Sequence, residues 1–369
     1  NGPDQAATVR HLAREHRNLR TALEWLQARP DPSDGLRMSV ALRRYWACAG
    51  HFGEGRRHLE ALLLRSAGVD ARLRADALHS LATLASRQSD FGRARTCLEH
   101  ALAIGEALGD GHLIGKVRNA FGNLALLTGE VATAREHFAA ALDRMQELEH
   151  EVGIIAALNN LAMAETTLGE LATAAEHFET CLALAREIGY ARGVADALNN
   201  LGMVLGMRSD YRRTRSVLAE CVAILQQIGE RRRLALAMVN LAHAALRQGR
   251  SEDARALCVE ALAIQEAVGD RGGAAKTRLG LGMAALHDSD LDEAARELAA
   301  ALGAMRGLDE RHPAEAEVVL GLGEIARRRG DPDGADRRLR ESLALAEAGG
   351  DLRLRALALI ALGPLAGAR

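Results

Sequence analysis

Aromatic residues, proline and lysine are scarce in this chain of 369 residues. Phe, Trp and Tyr together make up 3% of it, 6 prolines occur, and Lys116 and Lys276 are the two lysines. Basic and acidic residues nearly balance, at 47 against 49, so the one-signed charge that draws proteins to nucleic acid is missing. No apolar run approaches the roughly 20 residues of a membrane-spanning helix. We therefore expect no direct contact with nucleic acid or membrane, and the 48% of apolar residues predicts a folded core.

Cysteine is also sparse, and its placement argues against disulfides and zinc sites. Isolated thiols without a CxxC pair fit buried positions in a reducing compartment. The five cysteines all stand singly in helix-like sequence: Cys48, Cys97, Cys181, Cys221 and Cys258. The opening NGPDQAATVR has neither an apolar core nor a cleavage-like site, so no secretory signal is visible. These features predict a cytoplasmic protein with buried thiols.

Motifs that hold cofactors, metals or catalytic groups are missing. The nearest approach to a phosphate loop, GHLIGKV at 111–117, is one residue too short between its glycines and has Val117 where a hydroxyl should bind magnesium. We interpret it as a turn between repeats. None of the 13 histidines falls in an HExxH pattern. We therefore expect no cofactor, no metal and no enzymatic activity.

A period of 40 residues runs along nearly the whole chain. Equivalent anchor positions, mostly leucine, fall at Leu42, Leu81, Phe121, Leu161, Leu201, Leu241, Leu281, Leu322 and Leu362. Eight residues after each of the first eight anchors stands a glycine or serine, which marks a turn: Gly50, Ser89, Gly129, Gly169, Ser209, Gly249, Ser289 and Gly330. Thirteen residues after the anchor the residue is small: Gly55, Ala94, Ala134, Ala174, Thr214, Ala254, Ala294 and Ala335. Seventeen residues after it the residue is mostly bulky and apolar: Leu59, Leu98, Phe138, Phe178, Leu218, Cys258, Leu298 and Leu339.

Each period is predicted to contain two amphipathic helices. Apolar residues recur three and four positions apart on both sides of the turn, as in 155–162 and 171–182. The small residue lets the two helices approach closely, and the bulky one fills the space beside it. A second break, where a helix C-terminus is expected, follows in most periods: Gly109-Asp110, Gly189, Gly229, Gly269-Asp270 and Gly349-Gly350-Asp351. Because one pair cannot bury its apolar faces alone, stacked pairs predict one elongated domain.

This pattern resembles the tetratricopeptide repeat signature, in which small and large residues alternate in the same order. In one repeat the signature is matched by Leu161-Ala162, Gly169, Leu171, Ala174, Phe178 and Cys181. The match returns eight times between residue 36 and about residue 363. Repeats of 40 residues, instead of the usual 34 or so, are similar to those of kinesin-light-chain and LGN-like proteins. The resemblance implies an all-α fold, a right-handed α-solenoid whose concave groove is lined by the first helix of each pair.

The two ends differ from the repeats. A helix predicted over residues 5–28 has one apolar face, formed by Val9, Leu12, Leu19, Leu23 and Leu26. The breaker run 30–35 follows it. We expect an N-terminal capping helix and linker over 1–35, eight repeats over 36–350, and a C-terminal capping helix or truncated ninth repeat over 351–369. In that last segment Leu362-Gly363 repeats the anchor dipeptide but is followed by Pro364.

The N-terminal sequence carries a second resemblance. The stretches 15–26 and 42–63 are similar to the start of the helical-repeat region in large bacterial STAND-type regulators, which often also carry SARP- or LuxR-type DNA-binding domains. In that family an ATPase module and a winged helix precede the repeats. The resemblance implies that such domains are the partners of this chain within one regulator.

Asparagines recur close to the anchors. Three of them precede an anchor by one residue, two by two residues, and two more bracket Phe121: Asn160, Asn200 and Asn240, then Asn159 and Asn199, then Asn119 and Asn123. In tetratricopeptide proteins that bind extended peptides, asparagines at the place of the first three clamp the ligand backbone, because an amide both donates and accepts hydrogen bonds. The alternative is that these amides join neighbouring helices of the protein itself.

First-helix positions two, five and six residues beyond the anchor complete the predicted groove. Met163 and Met203 would give it an adaptable apolar floor, although methionine at helical spacing is also typical of a core. His243 and Arg247 lie one helical turn apart, and either they receive a carboxylate or they form a solvated edge.

These observations favour a module that senses a ligand or binds a protein. The first hypothesis is the sensor region of a larger STAND-type transcriptional regulator, whose groove binds a peptide or protein segment and passes the signal on by a change in curvature. The alternative is a stand-alone tetratricopeptide adaptor or peptide-pheromone receptor. The sequence upstream of Asn1 would separate the two.

Overall fold

The computed structural model describes residues 5–308 and 312–366, and in that part of the chain it contains nineteen α-helices and no strand. The helices are α1 (Gln5–Arg14), α2 (His16–Ala28), α3 (Ser33–Ala49), α4 (Phe52–Leu63), α5 (Ala71–Ser86), α6 (Phe91–Leu108), α7 (Gly111–Leu127), α8 (Val131–Glu147), α9 (Glu151–Leu168), α10 (Leu171–Glu187), α11 (Ala191–Met207), α12 (Tyr211–Gln227), α13 (Arg231–Arg247), α14 (Ser251–Ala267), α15 (Arg271–His287), α16 (Leu291–Arg306), α17 (Glu315–Arg328), α18 (Pro332–Gly349) and α19 (Leu352–Ala366). None of these helices combines the length and apolar character that crossing a bilayer requires.

The helices from α3 to α18 form the eight predicted pairs, and the expected all-α, helical solenoid fold is confirmed. The chain divides into two compact units, one that ends at Asn200 and one that begins at Leu201. In the first unit α7 contacts α5, α6, α8 and α9, and in the second α15 contacts α13, α14, α16 and α17. These first helices therefore pack on helices one and two places away in the chain, whereas a second helix such as α8 contacts α7 and α9. This local packing ties each repeat to its neighbours, as expected of stacked helix pairs.

The glycine or serine positions predicted as turns between the two helices of each pair are turns in the structure. All eight turn positions have positive φ, from 58° at Ser89 to 83° at Gly169. The turn closes with paired backbone hydrogen bonds, as where Gly169 N donates to Thr166 O at 3.1 Å and Glu170 N donates to Glu165 O at 2.9 Å. This geometry satisfies the last carbonyls of the first helix. The second break also shows positive φ in most periods, at Gly109, Gly189, Gly229, Gly269 and Gly350.

Close packing of small residues against large ones joins the two helices of a pair. The bulky residues seventeen positions beyond the anchors are at most 2% exposed. Glycines of the first helix make room for them. A Cβ at Gly122 would lie 2.4 Å from Phe138 Cε1, and one at Gly282 would lie 2.6 Å from Leu298 Cδ2. The small and bulky positions of the repeat therefore correspond to close steric packing between the two helices of a pair.

The N-terminal segment differs from its prediction. Residues 5–28 form two helices, α1 and α2, because the backbone leaves the helical region at Glu15, where ψ is 2°. The side chain of Val9 lies outside the described part. The breaker run is also shorter than predicted: Asp31 accepts hydrogen bonds from the backbone N and Oγ of Ser33, and α3 begins there.

Two further predictions are wrong. The stretch 111–117 is the start of α7 and not a turn, because Asp110 Oδ1 accepts a hydrogen bond from Leu113 N at 2.9 Å and caps the helix. Cys48 is exposed near the end of α3, whereas Cys97, Cys181, Cys221 and Cys258 are buried as predicted. Burial raises the pKa of the Cys181 thiol and of the Cys258 thiol to about 12, so both stay protonated at neutral pH.

Candidate ligand-binding groove

The first unit contains a cavity of about 680 Å³, within the usual size of ligand sites. The first helices of successive repeats, α5, α7 and α9, provide most of its lining, and α3 adds Arg43. Thr83 and Asn123 each lie two residues beyond their anchor, while Arg87 and Leu127 each lie six beyond it. The lining therefore uses the same register as the predicted groove, seen here on α5 and α7. We call this cavity the first-helix groove.

Two of the predicted site residues line this groove. Asn119 and Asn123 lie one turn apart on α7, and both contribute to its wall. Asn123 is exposed and Asn119 is half-buried. Leu127, one turn further on, is an apolar side chain that is 56% exposed. The wall that α7 presents thus combines amides with an apolar end, which suits a ligand with both polar and apolar groups.

Most of the other asparagines in the first unit are hydrogen-bonded to one another. Asn160 Nδ2 on α9 donates to Asn119 Oδ1 on α7 at 2.9 Å, and Asn200 Nδ2 on α11 donates to Asn159 Oδ1 on α9 at 2.9 Å. Asn199 Nδ2 donates to Asn200 Oδ1 at 3.1 Å. The first two of these contacts join first helices of adjacent repeats, as in the second of the two alternatives, while the third lies within α11. Because a side-chain amide can make more hydrogen bonds than these, the peptide-clamping role stays a prediction.

The remaining predicted residues are distributed over three helices. Asn240, Met163 and Met203 are half-buried. His243 is half-buried too, and burial lowers its pKa, with Lys276 adding repulsion. Arg247 is exposed, its Nε donates to Tyr211 Oη at 3.1 Å, and its guanidinium lies 5.6 Å from the centre of that ring.

Sequence analysis missed several groups of the groove, notably Arg43, His79 and Lys116. One signal was present, since His79 precedes its anchor by two residues, the same offset as Asn119 and Asn159. Among the described residues, no group of three His, Cys, Asp or Glu side chains is placed to hold a metal ion.

A family model named tetratricopeptide repeat matches the chain in five overlapping segments, residues 73–147, 113–187, 153–227, 233–307 and 273–348. These segments span well over half of the sequence. The chain belongs to the tetratricopeptide repeat family. Comparison with curated protein sequences gives no significant match.

Solved structures of other proteins share the fold. A STAND protein with a tetratricopeptide repeat sensor from Pyrococcus horikoshii has a TM-score of 0.64 and 13% identity, over 95% of this chain and 54% of that one. The apo form of the quorum sensor NprR from B. thuringiensis has a TM-score of 0.64 and 14% identity, over 92% and 96%. A Rap protein complexed with Competence and Sporulation Factor has a TM-score of 0.57 and 14% identity, over 92% of this chain and 100% of that one.

The described lining of the groove offers hydrogen-bonding groups, cations and apolar side chains. Its amides, hydroxyls and cations can pair with the backbone and side chains of a ligand, and its apolar residues can cover an apolar side chain. The arrangement is that of a recognition surface.

Proposed function

We propose that this chain is the ligand-sensing region of a larger STAND-type transcriptional regulator, and that it binds a peptide or protein segment in the first-helix groove. The observation that carries this proposal is the groove itself, lined by first helices of successive repeats and bearing Asn119, Asn123 and Leu127 on one wall. A peptide laid across several first helices would meet donors and acceptors along its length.

The similarities of fold support the proposal. One neighbour is named as a STAND protein with a tetratricopeptide repeat sensor, one as a quorum sensor, and one is complexed with Competence and Sporulation Factor. Under this proposal the chain works in the cytoplasm without enzymatic activity, and its partners are the peptide and the ATPase and winged-helix domains of the same regulator. Ligand binding would change the curvature of the repeats, and that change would pass the signal to those domains.

The second candidate is a stand-alone adaptor or peptide-pheromone receptor. It is favoured by NprR, because the similarity of fold extends over 96% of the NprR chain. Sequencing the gene upstream of Asn1 separates the two.

Selection of random dodecapeptides displayed on phage against the purified chain tests binding. A peptide that occupies the groove should lose about tenfold or more in affinity when Leu127→Gln removes an apolar contact, since such a contact is worth on the order of 1 to 2 kcal/mol. Leu108→Gln is the matched control, because Leu108 is similarly exposed, at 49%, and lies outside the groove. Equal affinities of the two variants for every selected peptide would refute groove binding.

A further inference from the structure

The lining of the first-helix groove is positively charged. Arg43, Arg87 and Lys116 line it, and its described lining includes no aspartate or glutamate. This contrasts with the whole chain, in which 49 acidic residues outnumber 47 basic ones. A concave wall with cations of one sign raises the local concentration of anions. The groove therefore favours an anionic group on its ligand.

Arg43 is a cation of the groove that has no carboxylate partner within hydrogen-bonding distance among the described residues. Its side chain is half-buried on α3, and its Nη1 meets the neutral hydroxyl of Thr83 at 3.5 Å. Burial lowers its pKa, the adjacent Arg44 adds to that effect, and Asp76 opposes it. Asp76 itself pairs with Lys116 Nζ at 2.7 Å and with Arg72 Nε at 3.2 Å. Since Arg43 forms no ion pair with a described residue, it keeps its capacity for a carboxylate.

His79 adds an unpartnered polar group to the same wall. The residue is 7% exposed, it lines the groove, and its Nδ1 has no hydrogen-bond partner in the described residues. Burial is the main cause that lowers its pKa to about 3, and Lys116 and Arg43 contribute by repulsion. Buried polar groups in folded proteins are normally satisfied, so this imidazole nitrogen is an unused hydrogen-bonding group in the wall of the groove.

The part of the groove nearest α9 is mostly apolar. Here α9 contributes Val152, Ala156 and Ala157 to the lining, and His150 lies just before its first turn. Cations and the orphaned histidine thus lie on α3, α5 and the first half of α7, while aliphatic side chains lie towards α9. First helices pack roughly 10 Å apart, a distance that about three extended residues cover.

From this arrangement we infer that the groove is specific for peptides in which an acidic residue precedes an apolar one by a few positions. Arg43 and Lys116 would hold the carboxylate, His79 would complete its hydrogen bonding, and the apolar residue would cover Val152 and Ala156. The inference rests on the proposed peptide-binding function and adds the chemical class of the peptide to it.

The test uses the purified full chain and the dodecapeptides that it selects from the random library. We expect the selected peptides to be enriched in Asp or Glu followed within a few residues by Leu, Ile, Val or Met. Each is synthesised with fluorescein, once as selected and once with the acids replaced by their amides, and fluorescence anisotropy gives the dissociation constants. The acidic form should bind about tenfold more tightly, and the advantage should shrink in 0.5 M NaCl because salt screens the ion pairs.

Variants identify the groups responsible. Arg43→Gln should remove most of the preference for the acidic form and leave affinity for the amide form unchanged, whereas Arg44→Gln, an exposed neighbour outside the groove with the same charge change, should keep the preference. His79→Leu should lower the affinity for the acidic peptide several-fold, while the thermal midpoint of unfolding stays equal or rises. A merely structural His79 would instead leave affinity unchanged.

Three results would overturn the inference: selected peptides without an excess of acidic residues, equal dissociation constants for the acidic and amide forms, or equal effects of Arg43→Gln and Arg44→Gln. In each of these the chain still binds peptides, so the proposed function stands. Selection of no peptide at all would overturn the proposed function and the inference together.

Discussion

At the residue scale, the hydrogen bond between Asn160 and Asn119 allows the two hypotheses for the recurring asparagines to be tested. The hydrogen bond between them joins α9 to α7 at 2.9 Å. We expect Asn119→Ala and Asn160→Ala to be coupled by about 0.5 to 1.5 kcal/mol of unfolding free energy in a double-mutant cycle, the usual net value of one hydrogen bond. Urea unfolding of the wild type, both single variants and the double variant measures this coupling.

Asn123 provides the control for that cycle. It lies on the same helix as Asn119 and lines the same groove, but it makes no hydrogen bond with Asn160. The cycle of Asn123→Ala with Asn160→Ala should therefore give a coupling near zero. If the cycle of Asn119 with Asn160 also gave zero, the amide pair would contribute nothing to stability, and the peptide-clamping role of Asn160 would be favoured.

At the element scale, the turns within the helix pairs differ between repeats in residue type, and this difference should affect the free energy of unfolding. The same turn position is Gly249 in one repeat and Ser289 in the next, with φ of 74° and 64°. Serine in this left-handed conformation is disfavoured relative to glycine, because its Cβ crowds the backbone. We expect Ser289→Gly to raise the free energy of unfolding by about 0.5 to 1 kcal/mol. Thermal and urea unfolding measure the change.

The reverse substitution in the neighbouring repeat is the matched control. Gly249→Ser should lower stability by a similar amount, since a Cβ at Gly249 meets no atom within 4 Å and backbone conformation alone is altered. If both substitutions changed stability in the same direction, side-chain contacts at the turns would matter more than φ.

The same turns show why part of this fold could be predicted from sequence. Turns, small residues and bulky residues recur at fixed offsets from the anchors. Each of these features is determined within a single helix pair, so its recurrence in other repeats supports the prediction made for any one of them. The break at Glu15 has no such second copy. The start of α7 depends on the cap of a single residue, Asp110, in a stretch rich in glycine.

The candidate site was predicted less completely, because its members come from several repeats. The register of the groove could be predicted from the repeat period, and Asn119 and Asn123 were named on that basis. Arg43, His79 and Lys116 stand at different offsets from their anchors, at one beyond, two before and five before. Only the packing of α3, α5 and α7 brings them to one wall, and of the three only His79 shares its offset with predicted asparagines.

At the scale of the whole molecule, packing between neighbouring helices determines how far a destabilising substitution affects the rest of the chain. Phe138 is fully buried in α8 and packs against Gly122 of α7. Phe138→Ala should leave a cavity and cost about 3 to 5 kcal/mol locally. Because helices contact those one or two places away, we expect faster amide hydrogen exchange in α6 to α9 and little change in α15 to α18. Exchange followed by mass spectrometry resolves these segments.

Leu298→Ala is the reciprocal test in the second unit. Leu298 is fully buried in α16 and packs against Gly282 of α15 and Gly321 of α17. Its loss should speed exchange in α14 to α17 and leave α6 to α9 protected. If either substitution raised exchange evenly along the described chain, the repeats would unfold as one cooperative block, which local contacts alone do not produce. If each effect stays within its own neighbourhood, ligand binding in the first-helix groove would likewise stabilise α3 to α9 first, and the same measurement with a bound peptide would map the segments that the ligand orders.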